Sequence, residues 1–157
     1  MSSYETDTVT RIETNLDDLS PQIVGAAMQK LFDAGALDVW FTPIQMKKNR
    51  PGVMLSALCN EADAPALADL IFSETSAFGL RMEKIQRLKL ARRFETVRTR
   101  FGEVSVKLGL KGDRVVQIAP EFESCRTIGE KAGVSLREVH AAALHAARGR
   151  WAEGSTE

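Results

Sequence analysis

Pro43-Ile44-Gln45-Met46-Lys47-Lys48-Asn49-Arg50-Pro51-Gly52 lies between Val39-Trp40-Phe41 and Val53-Met54-Leu55, and its reading decides the fold. Two short runs rich in β-branched and aromatic residues flank a polar segment, which predicts a β-hairpin with strands over Asp38–Ile44 and Val53–Cys59. Three of the four residues at its tip are cationic. Like charges crowded on a short rigid turn are held more readily when an anion offsets their repulsion, and a phosphate-bearing ligand is the commonest such anion. A solvated turn is the competing reading, because charged hairpin tips are ordinary.

Working back from the hairpin, Val9–Asn15 alternates and predicts a first strand. It ends in Leu16-Asp17-Asp18-Leu19-Ser20-Pro21. Ser20 suits an N-cap, Pro21 the first helical position, and Leu19 can staple onto Val24. A helix from Pro21 to about Ala34 should bury Ile23, Ala27 and Leu31 and stop at Gly35. Working forward, a second helix fits Ala64–Thr75, capped by Asp63, with Leu67, Leu70 and Ile71 on one face. A fourth strand follows over Leu80–Ile85. The order β-α-β-β-α-β is the ferredoxin-like split βαβ arrangement, an antiparallel sheet with both helices on one face.

The rest of the chain predicts a three-stranded meander, Phe94–Thr99, Val104–Leu110 and Arg114–Ala119, with turns at Arg100–Glu103 and Lys111–Asp113. Two helices follow. One spans Phe122–Ala132 and closes at Gly133; the other opens with the capping box Ser135-Leu-Arg-Glu138, stapled by Val134 and Val139, and ends near Arg148. The expected class is therefore α+β: a ferredoxin-like lobe over 9–86, a meander-plus-helices lobe over 87–149, both in one domain, and a frayed tail over 150–157.

Composition narrows the function. A chain of 157 residues that is 44% hydrophobic can bury a real core. No apolar run is long enough to span a membrane and the N-terminus has no signal-peptide pattern, so a soluble, cytoplasmic protein is expected. Two cysteines, Cys59 and Cys125, read as buried free thiols. His140 and His145 sit five residues apart on one helix, about 140° around its axis, and cannot share a metal. The net charge is zero, which with the lack of an aromatic pair for base stacking argues against nucleic acid. Charge is nonetheless segregated. Residues 1–40 hold seven acids against two bases, and residues 81–114 hold eleven bases against four acids.

No glycine-rich phosphate loop, His-Glu-x-x-His, Gly-x-Ser-x-Gly or Cys-x-x-Cys is present, and no catalytic nucleophile is visible. What remains suits a polyphosphate with a metal ion, where positioned charge does most of the work. Lys47, Lys48 and Arg50 are the first candidates for phosphate, followed by Arg81 and Arg93, with Arg92 and Lys107 as further basic positions. For an Mn²⁺ or Mg²⁺ ion the candidates are Asp17, Asp18, Glu13 and Glu121, because such ions take oxygen ligands. Helix capping is the competing role for Asp17 and Asp18, and a cap or surface position for Glu121.

Five blocks in one order carry a resemblance: Glu13–Pro21, Gly35–Val39, Thr42–Gly52, Glu74–Ser76 with Gly79–Arg81, and Ala119–Glu123. From about Val9 to Arg148 the chain resembles the C-terminal domain of the nickel insertion protein of nickel-pincer cofactor biosynthesis. The resemblance implies binding of CTP with a divalent metal, preferably manganese. It implies insertion of nickel into pyridinium-3,5-bisthiocarboxylic acid mononucleotide, a lyase-class chelatase reaction accompanied by cleavage of CTP to CMP and diphosphate. A homo-oligomer, hexamer or trimer, is likewise implied. Full-length members carry an N-terminal domain, often His-rich, whereas this chain has two histidines and begins almost at the first block. A partner chain supplying that domain, or a stand-alone relative with another task, is the corresponding expectation. The alternative from a different class is a non-catalytic ferredoxin-like module that senses a nucleotide or assembles partners.

Overall fold

The computed structural model describes residues 4–151. They form two compact units, one over Thr6–Arg87 and the other from Leu88 onward together with Tyr4 and Glu5.

The first unit holds β1 (Glu5–Leu16), α1 (Pro21–Asp33), β2 (Asp38–Met46), β3 (Arg50–Cys59), α2 (Ala64–Glu74) and β4 (Arg81–Lys89). Its sheet has the order β2-β3-β1-β4, and β3 lies antiparallel to both β1 and β2. This is the ferredoxin-like arrangement that the order of elements predicts. Pleating sorts β1 into two faces: Thr10, Ile12, Thr14 and Leu16 are buried, while Arg11, Glu13 and Asn15 alternate with them on the opposite face. Ile12 and Leu16 pack with Leu55, Ala57 and Cys59 of β3, with Val24 and Leu31 of α1, and with Leu67 and Ile71 of α2.

Ser20 caps α1 by accepting from the Gln22 amide at 3.4 Å, with Pro21 at the helix start. Leu19 packs onto the core containing Val24. The buried stripe is Val24, Ala27 and Leu31, and Ile23 is exposed, which corrects the expectation for Ile23. The physical reason is phase: Val24 is the residue three before Ala27 and seven before Leu31, so it shares their face. Asp63 is also not a capping side chain; it accepts from Asn60 Nδ2 at 3.1 Å, and a single turn of 3₁₀ helix over Glu61–Asp63 leads into α2.

The second unit holds the meander β5 (Ala91–Thr99), β6 (Gly102–Lys111) and β7 (Arg114–Pro120), followed by α3 (Phe122–Ala132) and α4 (Leu136–Arg150). Val97, Val104, Val106, Leu108 and Val115 of the sheet bury Cys125 of α3 and Val139, Ala143 and Ala147 of α4. Gly133 ends α3 in the left-handed conformation, and both halves of the Ser135–Glu138 capping box are formed. Helix α4 continues past Gly149, and Trp151 is buried at its C-terminus, so order extends into the region expected to fray at residue 150. A large indole closing the helix-to-sheet core outweighs the helix-weakening effect of one glycine. The remaining tail positions, 152–157, lie outside the described residues.

Candidate functional site

At the hairpin tip, β2 and β3 pair as far as Met46 opposite Arg50, leaving Lys47-Lys48-Asn49 as the connection. Lys48 and Asn49 both take positive φ, 59° and 56°. Two successive left-handed residues give a turn whose twist suits a hairpin, normally a role for Asn and Gly. Gln45 Nε2 donates to Asn49 Oδ1 at 2.9 Å and fixes the tip. Among the described residues neither Lys47 nor Lys48 has an ion-pair partner.

Gly52 decides where this tip lies. A Cβ there would stand 2.6 Å from the Leu16 carbonyl oxygen and 3.4 Å from Asp17 Cα. Only the bare backbone of glycine lets β3 approach the end of β1 so closely. The basic turn is thereby brought beside the acidic end of β1, and Arg50 Nη1 lies 3.4 Å from Asp17 Oδ2. Asp18 accepts from the Ser76 hydroxyl, on the connection between α2 and β4. On the same connection Thr75 Oγ1 donates to the Ile71 carbonyl at 2.6 Å and accepts from the Ala77 amide at 3.2 Å, while Thr14 Oγ1 holds the Gly79 carbonyl at 2.9 Å. One end of the ferredoxin-like sheet therefore gathers the β1–α1 turn, the basic hairpin and the α2–β4 connection.

The face of the sheet away from the helices carries a second polar group. Arg81 Nε donates to Glu13 Oε2 at 2.9 Å, and its Nη2 to Asn15 Oδ1 at 3.0 Å. Arg11 Nε stands 3.3 Å from Glu13 Oε1, and the buried Ser56 hydroxyl donates to the same oxygen at 3.3 Å. The Glu13 side chain is only 12% exposed. It is thus held by two guanidinium groups and a hydroxyl, an arrangement that fixes Arg81 at the start of β4.

Of the predicted positions, Lys47, Lys48, Arg50, Asp17, Asp18, Glu13 and Arg81 fall in the first unit. Arg93 and Glu121 fall in the second. Arg93 lies opposite the buried Leu108 and its Nε stands 3.2 Å from Glu95 Oε1. Glu121 Oε1 is 3.4 Å from Lys107 Nζ, and the Glu121 amide donates to the Ser105 carbonyl at 2.9 Å. Arg92 and Lys107 line a small basic cleft together with Lys89 and Gln117. Among the described residues no three His, Cys, Asp or Glu side chains come together closely enough to hold a metal ion.

Sequence reasoning missed the recess beside the hairpin. A cleft of about 470 Å³ opens between the end of β1, the first turns of α1 and the hairpin, walled by Leu19, Val24, Phe41, Pro51 and Val53, with Gly25 on α1 and Asp17 at its polar edge. The signal was present in Gly25, a glycine inside an otherwise good helix, but no spacing rule ties it to Phe41. None of the helices among the described residues is long and apolar enough to cross a membrane.

Fold and site define a class: a ferredoxin-like module that carries Lys47, Lys48 and Arg50 at a hairpin tip beside the acidic end of its first strand. The family model described as nickel insertion protein matches residues 1–140. The chain is 44% identical over 131 residues to the pyridinium-3,5-bisthiocarboxylic acid mononucleotide nickel insertion protein of Thermotoga sp. strain RQ2, covering 83% of this chain and 33% of that protein. The protein of the same name from Clostridium acetobutylicum is 44% identical over 83% of this chain and 31% of its own length. Among solved structures, the apo form of LarC2, the C-terminal domain of a cyclometallase involved in synthesis of the NPN cofactor of lactate racemase, superposes with a TM-score of 0.86 at 40% identity, over 91% of this chain and 99% of that one. A protein from Methanopyrus kandleri AV19 matches at a TM-score of 0.66 and 31% identity over 97% of both chains. The chain belongs to the nickel insertion protein family, and it spans about a third of the length of these curated relatives.

Proposed function

We propose that this chain is the CTP-binding part of a nickel insertion protein, acting in the cytoplasm with Mn²⁺ or Mg²⁺ while nickel is inserted, as cargo, into pyridinium-3,5-bisthiocarboxylic acid mononucleotide. The nickel and its acceptor are supported by the names of the relatives. One observation supports the anion site above all others: Gly52 lets the Lys47-Lys48-Asn49-Arg50 turn lie against Asp17, with both lysines unpaired among the described residues.

In this reading Lys47 and Lys48 bind phosphate oxygens, and Arg50 is shared between Asp17 and phosphate. Glu13 positions Arg81, whose guanidinium lies on the same strand-end region as Asn15. The residues fit a divalent cation of a particular kind. With no protein-only cage among the described residues, the chain offers Asp17 and Asp18 as one or two carboxylates, the number that Mg²⁺ or Mn²⁺ uses when phosphate oxygens and water complete its shell. Such a cation, when bound, neutralises charge on the phosphates. Glu121 serves Lys107 in this reading. Nickel chelation, in the lyase class, belongs in this reading to the whole protein, because the relatives of which this chain spans about a third are named for nickel insertion. Homo-oligomer formation is supported by the fully exposed Phe78 and the exposed Leu88, Phe94 and Phe122, and its size, hexamer or trimer, is taken from the resemblance.

Equilibrium binding of CTP, ATP and GTP with Mn²⁺ at one ionic strength tests the reading. CTP should bind most tightly, and Asp17→Asn or Asp18→Asn should weaken metal-dependent binding while leaving the melting temperature nearly unchanged. Equal affinity for the three nucleotides would overturn it. The second reading, a module that binds nucleotide without turning it over, fits a sequence in which no catalytic nucleophile is visible. Steady CTP cleavage by this chain would exclude it.

A further inference from the structure

The meander of the second unit has two edges, and they are built differently. β7 runs for seven residues and ends in Pro120, the short, proline-terminated form in which edges are commonly protected from pairing with other chains. β5 runs for nine residues, contains no proline and pairs only with β6 among the described residues. In an antiparallel pair, residues alternate between those bonded to the neighbouring strand and those whose amide and carbonyl face away from it. The Thr96 carbonyl faces away, because Arg150 Nη1 at the end of α4 reaches it at 3.5 Å. By that alternation Phe94 and Arg98 face outward too, and no other backbone group among the described residues meets them.

A groove follows this edge. Two clefts, of about 400 and 480 Å³, lie along β5 and α4 and share Arg98 and Ala146. Their α4 wall presents Ala141, Ala142 and Ala146, whose methyl side chains leave room for another backbone to lie alongside. The rim is cationic. The guanidinium of Arg100 stacks 4.6 Å from the centre of the Phe101 ring and that of Arg150 4.4 Å from the Trp151 ring, and neither is in an ion pair among the described residues. Stacking holds a guanidinium flat and leaves its N–H edge for a carboxylate. The two acids of the groove are already engaged, Glu138 in the capping box and Glu103 with Arg98 at 3.3 Å. The second of these is a surface pair, with the Arg98 side chain 86% exposed, and such pairs are weak enough to exchange.

Edge and rim select one occupant. An unpaired edge offers main-chain bonds to an extended segment, and side-chain charge decides which segment is accepted. On β5 itself Arg92, Arg93 and Arg98 stand against the single acid Glu95, so a second copy of the strand is repelled and a strand bearing carboxylates is attracted. We propose that β5 takes an extended acidic segment of a partner protein as a fourth strand of this sheet, laid in the groove beside α4 with its carboxylates on Arg98, Arg100 and Arg150. The contact uses residues of the second unit alone and does not depend on the proposed nucleotide.

The test titrates the whole chain at low ionic strength with three labelled peptides: one alternating glutamate with valine, one alternating lysine with valine, and one alternating glutamate with proline, which keeps the charge but cannot form a ladder. Fluorescence anisotropy reads binding, and amide hydrogen exchange reads its place. The glutamate–valine peptide should bind at least tenfold more tightly than the other two and should protect the amides of Phe94, Thr96 and Arg98. Arg98→Glu combined with Arg100→Glu should weaken it at least tenfold. Thr96→Pro should do the same, because it removes an outward donor and no bond to β6; if that variant does not fold, the charge-reversed variant and the exchange pattern decide. No binding of the glutamate–valine peptide overturns the proposal, as does unchanged affinity in the charge-reversed variant. Equal binding of the glutamate–proline peptide reduces the contact to charge attraction and overturns strand addition, and protection confined to other amides does so too. A fall in the mass of the protein on Thr96→Pro, read by light scattering, would assign the edge to a second copy of the chain and overturn the acidic partner.

Discussion

Lys48 holds a φ of 59° without the conformational freedom of glycine. A left-handed non-glycine residue costs about 1–2 kcal/mol, and such strain persists where the surroundings or a function require the side chain. Lys48→Gly should therefore leave stability unchanged or raise it by up to about 1 kcal/mol in urea unfolding. The same change should weaken CTP by about 1–3 kcal/mol in calorimetry, the value of a charge-assisted contact to phosphate. Loss of stability without loss of affinity would make Lys48 a structural residue. Gly52 predicts a loss of both stability and affinity. Gly52→Ala forces a methyl group against the Leu16 carbonyl, so urea unfolding should show a loss of about 1–3 kcal/mol, with nucleotide affinity falling as the turn moves off Asp17.

At the scale of elements, the capping box of α4 gives a pH prediction with a definite sign. Glu138 is held below the ordinary carboxylate range, first by the Ser135 hydroxyl and then by the Ser135 amide. A carboxyl group with a depressed folded value stabilises the protein above its unfolded value, near 4.3, and that contribution disappears as pH falls through the folded value. The difference in urea midpoint between the unmodified protein and Glu138→Ala should then be present at pH 6 and narrow on acidification below about pH 4. This cap was legible in the sequence because its partners are three residues apart. The α1 cap was legible for the same reason, and the element order followed from the periodicity of the segments between such signals. The ends of strands were not. β1, β4 and β5 each extend beyond their alternating segments because pairing with a neighbouring strand, which local sequence does not encode, fixes where a strand stops. The candidate site divides in the same way. Its cations were visible as one run of sequence, but the clasp of Arg81 on Glu13 joins residues 68 apart, and the clearance at Gly52 depends on a carbonyl of another strand.

At the scale of the whole molecule, Phe78, Leu88, Phe94 and Phe122 leave apolar surface in water. Light scattering coupled to size exclusion should give a mass near six or three times the 17.3 kDa of the chain. Phe78→Ser and Phe94→Ser together should lower that mass, and a monomeric unmodified protein would remove the assembly from the proposal. The two cores have a further consequence. Each buries one free cysteine, Cys59 in the first and Cys125 in the second, and burial pushes both thiols above their ordinary range, with Asp63 and Glu121 adding to the effect. A thiol that is both shielded and protonated reacts only after its surroundings open. The chain thus carries one silent chemical clock in each half. Pulsed alkylation read by mass spectrometry would time the opening of each unit separately, and would report which of them a nucleotide locks shut.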